Sequence, residues 1–192
     1  MDDLILNILS ESLTVKKHAV RNNLESIQTA AQRVADCMAA GYKVLIFGNG
    51  GSAADAQHIA AEFVNRFMIE RPPMAAVALT TDTSILTSIG NDYHFEDIFS
   101  KQVQALGKKG DIAWGISTSG NSSNVLKGLQ AAKEMNLYTI GLGGRGGKMV
   151  SQVDLALTVP SDTTARIQET HLTIAHILCE LVERMLYPQR FK

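Results

Sequence analysis

Short apolar runs alternate with helical patterns through the middle of the chain, and each run leads into a glycine-rich or polar turn. The runs are Lys43–Phe47, Met74–Leu79, Ile112–Ile116, Leu137–Leu142 and Leu155–Val159, and helical spacing occurs between them near Ser52–Phe67, Thr83–Ile89, Phe95–Leu106 and Val125–Met135. Strands that alternate with helices form right-handed βαβ crossovers, which build a parallel sheet covered on both faces. The alternation therefore predicts an α/β fold, a three-layer α/β/α sandwich around a five-stranded parallel sheet.

Helical patterns also flank this core at both ends. Two of them precede the first run, over residues 3–20 and 24–38, and one follows the last run. The final helix is predicted to begin with Asp162 or Thr164 as its cap and to continue to about Leu186. Because 192 residues are enough for one full core, we expect a single domain in which two helices precede the α/β core along the chain and one long helix follows it.

Charge balance and apolar content exclude two classes of partner. Lys and Arg total 18 against 19 for Asp and Glu, and no terminal block of basic residues could neutralise a run of phosphates, so no nucleic acid is expected as a ligand. No apolar stretch approaches the ~18 residues that span a bilayer, so no membrane partner is expected.

The start of the chain and its cysteines favour a cytoplasmic protein. The chain begins Met-Asp-Asp and shows neither the basic segment nor the apolar segment of a secretion signal, which predicts a cytoplasmic location. Cys37 and Cys179 lie far apart in apolar helical segments and are interpreted as core thiols.

The first glycine-rich turn follows the run that ends at Phe47. Residues 48–53 fit the pattern GxGxxA of dinucleotide-binding turns, and residues 141–146 fit GxGxxG. A dinucleotide site also needs an acidic residue about 20 positions further on, at the tip of the second strand. Glu70 precedes that strand and Asp82 lies too far along. A turn shaped for some other closely approaching ligand is therefore favoured.

A second polar turn is rich in hydroxyl groups. Ser117, Thr118, Ser119, Ser122 and Ser123 place five hydroxyls within seven residues, after one strand and at the start of the next helix. One hydroxyl is enough to cap a helix, whereas several hydroxyls together with free backbone N–H groups and the positive end of a helix dipole suit a phosphate. Because there is no Walker lysine and little aromatic surface nearby to stack a base, a sugar phosphate is favoured over a nucleotide.

Two helices carry polar residues that can support chemistry. His58 and Glu62 are spaced i, i+4 after the glycine turn, so their side chains lie about 40° apart on one face of a helix. They can share a metal ion or a proton, although a weak surface interaction explains such a pair equally well. The final helix carries polar residues that spacing alone does not separate, namely Arg166, Gln168, Glu169, His171 and His176. Among these, His171 is interpreted as a structural residue at the surface or at a subunit contact.

Four segments of the chain together form a pattern that is specific for one protein family, although no single segment would identify that family. They are Gly48-Asn-Gly-Gly-Ser-Ala-Ala-Asp-Ala-Gln-His58 with Glu62 and Arg66, Gly90-Asn91-Asp92, Ile116-Ser-Thr-Ser-Gly-Asn-Ser122, and Ala165-Arg-Ile-Gln-Glu169 with His176. Together they resemble the phosphoheptose isomerases of the sugar isomerase (SIS) domain family, over nearly the whole chain. The resemblance implies a SIS, flavodoxin-like fold in one domain over residues 1–192, with 1–40 used in oligomerisation, 41–160 as the α/β core and 161–192 as the C-terminal helix.

The same resemblance implies a function and a set of site residues. Members of this family convert sedoheptulose 7-phosphate to D-glycero-D-manno-heptose 7-phosphate, on the pathway to ADP-heptose and the lipopolysaccharide core, as cytoplasmic homotetramers with one zinc ion per subunit. The zinc ligands would be His58, Glu62, Gln168 and His176. Substrate contacts would fall on Glu62 and Gln168 and on Asn49, Gly50, Gly51, Asn91, Asp92, Ser117, Thr118, Ser119 and Ser122.

The implied reaction needs a base and an acid. Moving a carbonyl to the neighbouring carbon removes a proton beside it, passes through an enediol and returns the proton one carbon along. Glu62 is the candidate base and His176 the candidate acid, with zinc as the Lewis acid. An imidazole nitrogen bound to zinc cannot donate a proton, so either the ligands exchange during turnover or the donor is the other nitrogen or a water molecule. The sequence leaves both possibilities open.

Two other SIS-domain functions are the alternatives. A tetrameric adaptor that associates with the bacterial replication initiator is similar in the segments Asn65-Arg66-Phe67 and Leu186-Tyr187-Pro188. That group lacks the carboxylate and the second histidine that this chain has in Glu62 and His176, so an enzyme is favoured. A transcriptional sugar-phosphate sensor is disfavoured because no DNA-binding domain is expected in the chain.

Overall fold

A five-stranded parallel sheet forms the centre of the protein. The structure, a computed structural model, describes residues 1–191. The strands are β1 (Val44–Gly48), β2 (Ala76–Ala78), β3 (Ile112–Ser117), β4 (Tyr138–Gly143) and β5 (Leu155–Thr158), in the spatial order β2-β1-β3-β4-β5. All neighbouring strands are parallel, which confirms the predicted sheet. The chain order reverses between β1 and β3, the place where open sheets of this kind bind ligands.

Helices cover both faces of the sheet. They are α1 (Asp2–Asn22), α2 (Leu24–Ala39), α3 (Gly51–Val64), α4 (Thr83–Asp92), α5 (Ser100–Leu106), α6 (Ser123–Glu134), α7 (Met149–Gln152) and α8 (Thr164–Leu186). Successive strand residues point to opposite faces, so Ile46 and Trp114 pack with α2, α3 and α8, whereas Leu45 and Phe47 pack with α5, α6 and α7. The predicted three-layer sandwich is confirmed.

Helix α3 is shorter than predicted. It ends at Val64 rather than at Phe67. The amides of Phe67 and Met68 donate to the carboxylate of Glu183 at 2.9 and 2.8 Å, so an acid on α8 takes the place of the carbonyls that a continuing helix would offer. Apolar spacing carries no information about such a distant acceptor.

Two other local predictions are wrong. The predicted helix Phe95–Leu106 is interrupted, because Phe95–Asp97 form a separate 3-10 turn and α5 begins only at Ser100. Apolar residues at i, i+3 fit a 3-10 turn and an α-helix equally well. The residue that caps α8 is Thr163, whose backbone is still extended, rather than Asp162 or Thr164. The single short turn of α7 was not predicted.

Both cysteines are core thiols, as predicted. Cys37 and Cys179 are buried and free. Burial raises the pKa of each thiol to about 12, so neither is a thiolate near neutral pH. Within residues 1–191, no helix is both long and apolar enough to cross a membrane.

The polar turns meet at one edge of the sheet. Strand register places Gly48 beside Ile116, and Ser117 beside Gly143. The carboxyl ends of β1, β3 and β4 therefore bring the glycine turn, the hydroxyl-rich turn and the second glycine turn side by side. Helix α3 starts directly from the first of these turns.

Candidate active site

His58, Glu62 and His176 form one cluster between α3 and α8. His58 and Glu62 lie one turn apart on α3, and His176 projects from α8. The Nε2 atoms of the two histidines are 2.8 Å apart, and His58 Nε2 is 3.4 Å from Glu62 Oε1. One ligand atom from each residue lies within 4.8 Å of the others. Two helices that are distant in sequence thus supply three groups able to bind a single ion.

The surroundings of His176 disfavour its charged form. Burial lowers its pKa, repulsion by His58 lowers it further, and Glu62 opposes both effects. The ring of Phe67 lies 5.2 Å from the ring of His176 and covers one side of it. A neutral imidazole keeps a lone pair with which it can bind a metal or accept a proton.

The donor set of the cluster fits a catalytic zinc site. Zinc is bound in such sites by three protein ligands of the histidine and carboxylate type, with a further position open to water or substrate. The cluster offers two imidazole nitrogens and one carboxylate. Two imidazole nitrogens as close as those of His58 and His176 need a proton or a cation between them. The residues present therefore fit the predicted metal.

Gln168 reaches the start of α3 from α8. A Cβ atom built on Gly51 would lie 2.5 Å from the Gln168 Nε2 atom. A side chain at position 51 would require the Gln168 amide to shift, so the glycine lets Gln168 approach the start of α3. This contact joins two residues that the sequence resemblance assigned to the site.

The hydroxyl groups of the second turn face one another. Ser117 lies at the buried end of β3, and its Oγ atom is 2.9 Å from Ser122 Oγ and 3.4 Å from Ser119 Oγ. Ser122 occupies the N-cap position of α6 but makes no side-chain hydrogen bond to that helix. Helix capping alone does not explain this arrangement, because the hydroxyl that could cap points to Ser117 instead. Thr118 lies between the serines and is half-buried.

A pair of amides ties the two turns together. Asn49, in the glycine turn, and Asn124, in the first turn of α6, donate to each other at 2.8 Å in both directions. Asn124 is buried, and sequence analysis did not single it out. Its position two residues after Ser122 looked like ordinary helix sequence, so only the fold shows this contact.

Asn91 and Asp92 lie apart from the cluster in this chain. They are exposed at the end of α4, and the Asn91 amide donates to Asp92 at 2.8 Å. Among residues 1–191, no hydrogen bond or ion pair joins them to the other predicted site residues. Their predicted contact with substrate stays a prediction.

The remaining polar residues of α8 have structural partners. Arg166 donates to the Ile8 carbonyl of α1 at 2.9 Å and lies 3.1 Å from Glu169. His171 is neither at the surface nor at a subunit contact, so that interpretation is wrong. It is fully buried, and its Nε2–H donates to the Gly143 carbonyl at 3.0 Å, because α8 packs across the end of β4.

Asp55 is a further polar residue of α3 that sequence analysis missed. It precedes His58 by three positions, and its Oδ2 atom is buried without a hydrogen-bond partner among the described residues. Burial raises the pKa of this carboxyl, and the nearby His58 lowers it. The i, i+3 spacing of Asp55 and His58 was the available signal.

Known proteins resemble the chain along almost its entire length. A family model described as SIS domain matches residues 9–144. A protein of Solidesulfovibrio magneticus named phosphoheptose isomerase is 54% identical over 184 residues, which cover 96% of this chain and 90% of the relative. The chain belongs to the phosphoheptose isomerase family. Its α8, with Gln168 and His176, lies beyond the matched SIS segment but within the full-length similarity to that relative.

Solved structures of the phosphoheptose isomerase family share the fold. Phosphoheptose isomerase GmhA from Neisseria gonorrhoeae superposes with a TM-score of 0.88 at 46% identity, covering 95% of this chain and 98% of that one. The enzyme from Francisella tularensis gives 0.90 at 39% identity, with 95% and 97% covered. The predicted family and the predicted class of enzyme, an isomerase, are confirmed, and the adaptor alternative is not favoured.

Proposed function

We propose that this member of the phosphoheptose isomerase family interconverts sedoheptulose 7-phosphate and D-glycero-D-manno-heptose 7-phosphate through an enediol. The observation that carries the proposal is the cluster of His58, Glu62 and His176 within 4.8 Å, two of whose members lie on the helix that starts from the glycine turn beside the serine turn. One group of residues can act on the carbonyl end of the sugar while the other holds its phosphate.

Proton transfer is assigned to two residues of the cluster. Glu62 is three-quarters buried yet reachable from solvent, with 22% of its side chain exposed, and it acts as the base that removes the proton beside the carbonyl. His176 acts as the acid; because an imidazole nitrogen bound to zinc cannot donate, the proton would reach the substrate oxygen from its other nitrogen or through a water molecule. A positioned acid or base of this kind contributes about 10²–10⁴-fold to the rate.

His58, Glu62, Gln168 and His176 are the residues that would hold zinc. A bound Zn²⁺ supplies Lewis-acid polarisation of the substrate carbonyl. His58 is assigned only the role of a metal ligand, and its Nε2 atom lies 2.8 Å from the Nε2 atom of His176. Gln168, whose amide lies beside Gly51, would add a neutral ligand.

Turnover and its dependence on metal test the proposed function. Sedoheptulose 7-phosphate incubated with the purified chain is expected to yield the heptose 7-phosphate in NMR spectra. Chelation followed by removal of the chelator should lower the rate, and added Zn²⁺ should restore it. Unphosphorylated sedoheptulose is the matched control and should react far more slowly. Absence of product with zinc supplied would contradict the proposal.

The serine turn is proposed to bind the phosphate, and Ser117→Ala tests this role. Hydrogen bonds to a charged group contribute about 1.5–3 kcal/mol, so KM should rise by about one to two powers of ten while kcat changes much less. Inhibition by inorganic phosphate should weaken in parallel. Ser151→Ala is the control, because that exposed hydroxyl only bonds the Lys148 carbonyl of its own turn. Equal KM values for Ser117→Ala and the wild type would refute the assignment.

We also propose a cytoplasmic homotetramer in which residues 1–40 make subunit contacts. Helix α1 exposes apolar side chains that a lone chain would leave in water, namely Leu4, Ile5, Ile8, Leu9 and Leu13. Light scattering is expected to give the mass of four chains. Ile5→Glu should lower that mass, whereas Asn7→Glu on the same helix should not. A wild-type protein that stays monomeric would exclude this assembly.

A further inference from the structure

A buried ion pair links the ends of the two helices that carry the cluster. Arg71 follows α3, and Glu183 lies two turns after His176 on the same side of α8. Both side chains are 0% exposed, and Arg71 Nε lies 2.8 Å from Glu183 Oε1. Neither residue belongs to the site described above, and neither was singled out by the sequence motifs.

The side chain of Arg71 caps the C-terminal end of α3. Its Nη2 atom donates to the backbone carbonyl of Glu62 at 2.7 Å, and its Nη1 atom donates to the carbonyl of Phe63 at 2.8 Å. Weaker contacts of Nη1 reach the Asn65 carbonyl at 3.3 Å. The last carbonyls of a helix have no partner within it. Arg71 therefore supplies the missing donors, and one of them acts on the backbone of the proposed base.

The glutamate holds the segment that follows α3. Its carboxylate accepts the amides of Phe67, Met68 and Ile69 at 2.9, 2.8 and 3.3 Å. The same contacts place the Phe67 ring 5.2 Å from the ring of His176. A single carboxylate on α8 thus anchors the chain immediately after the proposed base and packs an aromatic ring on the proposed acid.

We propose that Arg71 and Glu183 are positioning residues, which set the distance between Glu62 and His58 on α3 and His176 on α8. This inference rests on the proposed function of the cluster. Stability alone does not account for such a pair, because buried ion pairs can often be replaced by apolar residues without loss of stability. What apolar residues cannot replace is the set of hydrogen bonds to the carbonyls of Glu62 and Phe63 and to the amides of Phe67–Ile69.

The chain contains a matched control for a purely structural role. Asp111 is another fully buried carboxylate that pairs with a cation, Lys43. It also accepts two backbone amides, those of Lys43 and Lys108, at 3.0 and 2.9 Å. It lies at the amino ends of β1 and β3, the opposite edge of the sheet from the glycine and serine turns. Asp111→Asn should therefore destabilise the fold without disturbing the site.

The test compares metal binding and stability in full-length variants. The probe is Co²⁺, whose visible spectrum reports the geometry of its ligands, together with competition by a chelator and the thermal midpoint. Glu183→Gln keeps an oxygen acceptor but removes the charge, and Arg71→Met with Glu183→Met removes the pair without leaving one partner unpaired. The double variant leaves no buried charge unpaired, so a change in its Co²⁺ binding is not explained by unfolding alone.

We expect both variants to lose about 10–100-fold in Co²⁺ affinity, to change the Co²⁺ spectrum, and to lower kcat with little change in KM. Asp111→Asn should lower the thermal midpoint and leave the spectrum unchanged. Wild-type Co²⁺ affinity and spectrum in the folded double variant would overturn the positioning role alone. Failure of the wild type to bind Co²⁺ would overturn the proposed metal site and this inference with it.

Discussion

Replacing Glu62 by glutamine is expected to lower kcat for the isomerisation of sedoheptulose 7-phosphate by about 10²–10⁴-fold. Glutamine keeps the size of the side chain and one oxygen, but an amide does not accept a proton from carbon near neutral pH. The change also removes the negative charge 3.4 Å from His58 Nε2. NMR measurement of product formation at saturating substrate gives the effect directly.

Glu180→Gln is the control for this variant. Glu180 lies one turn after His176 on α8 and accepts a hydrogen bond from Arg184 at 2.7 Å near the surface. Its replacement should leave kcat close to the wild-type value. Metal content measured on the same samples separates the two roles of Glu62, because loss of the base leaves zinc bound whereas loss of a ligand lowers zinc. Wild-type kcat in Glu62→Gln would end the assignment of this residue as the base.

Sequence patterns predicted the fold because the signals that carry it are local. Each strand is a short apolar run that ends in a turn, and each crossover helix shows its own periodicity. Once the strands are taken to be parallel, their carboxyl ends share one edge, so the turns that follow β1 and β3 must lie near each other. The register of the two strands, with Gly48 beside Ile116, has this arrangement.

Contacts between distant segments account for what sequence analysis missed. Arg71 and Glu183 are 112 positions apart, and each alone reads as an ordinary charged residue. Asn124 looks like helix sequence until the fold places it opposite Asn49. The spacing of Gln168 and His176 could not select them from the other polar residues of α8, because their role depends on which face of that helix meets α3. The roles of these residues depend on which segments pack together in the fold, and residue type alone does not reveal them.

The environment of His171 also depends on contacts between distant segments, and it leads to a prediction about stability at acid pH. Burial lowers its pKa from 6.5 to about 4, and the hydrogen bond to Gly143 offsets only part of this. The folded protein holds this imidazole neutral, whereas the unfolded chain takes up a proton near pH 6.5. The unfolded state therefore binds more protons between pH 6.5 and 4, so stability falls as the pH is lowered through this window. The expected loss is about 3 kcal/mol.

His171→Gln should remove this pH dependence, since glutamine can still donate to the Gly143 carbonyl but does not titrate. Urea unfolding at one protein concentration, at several values of pH from 7 to 4, gives the free energy of unfolding for both proteins. All other side chains are the same in both proteins, so the difference between the two curves isolates His171. His94→Gln, at an exposed histidine, should keep the wild-type slope. If the curves of His171→Gln and the wild type stay parallel, the folded protein does not hold His171 neutral. Protonating this buried imidazole then does not cost the free energy that we assign to it.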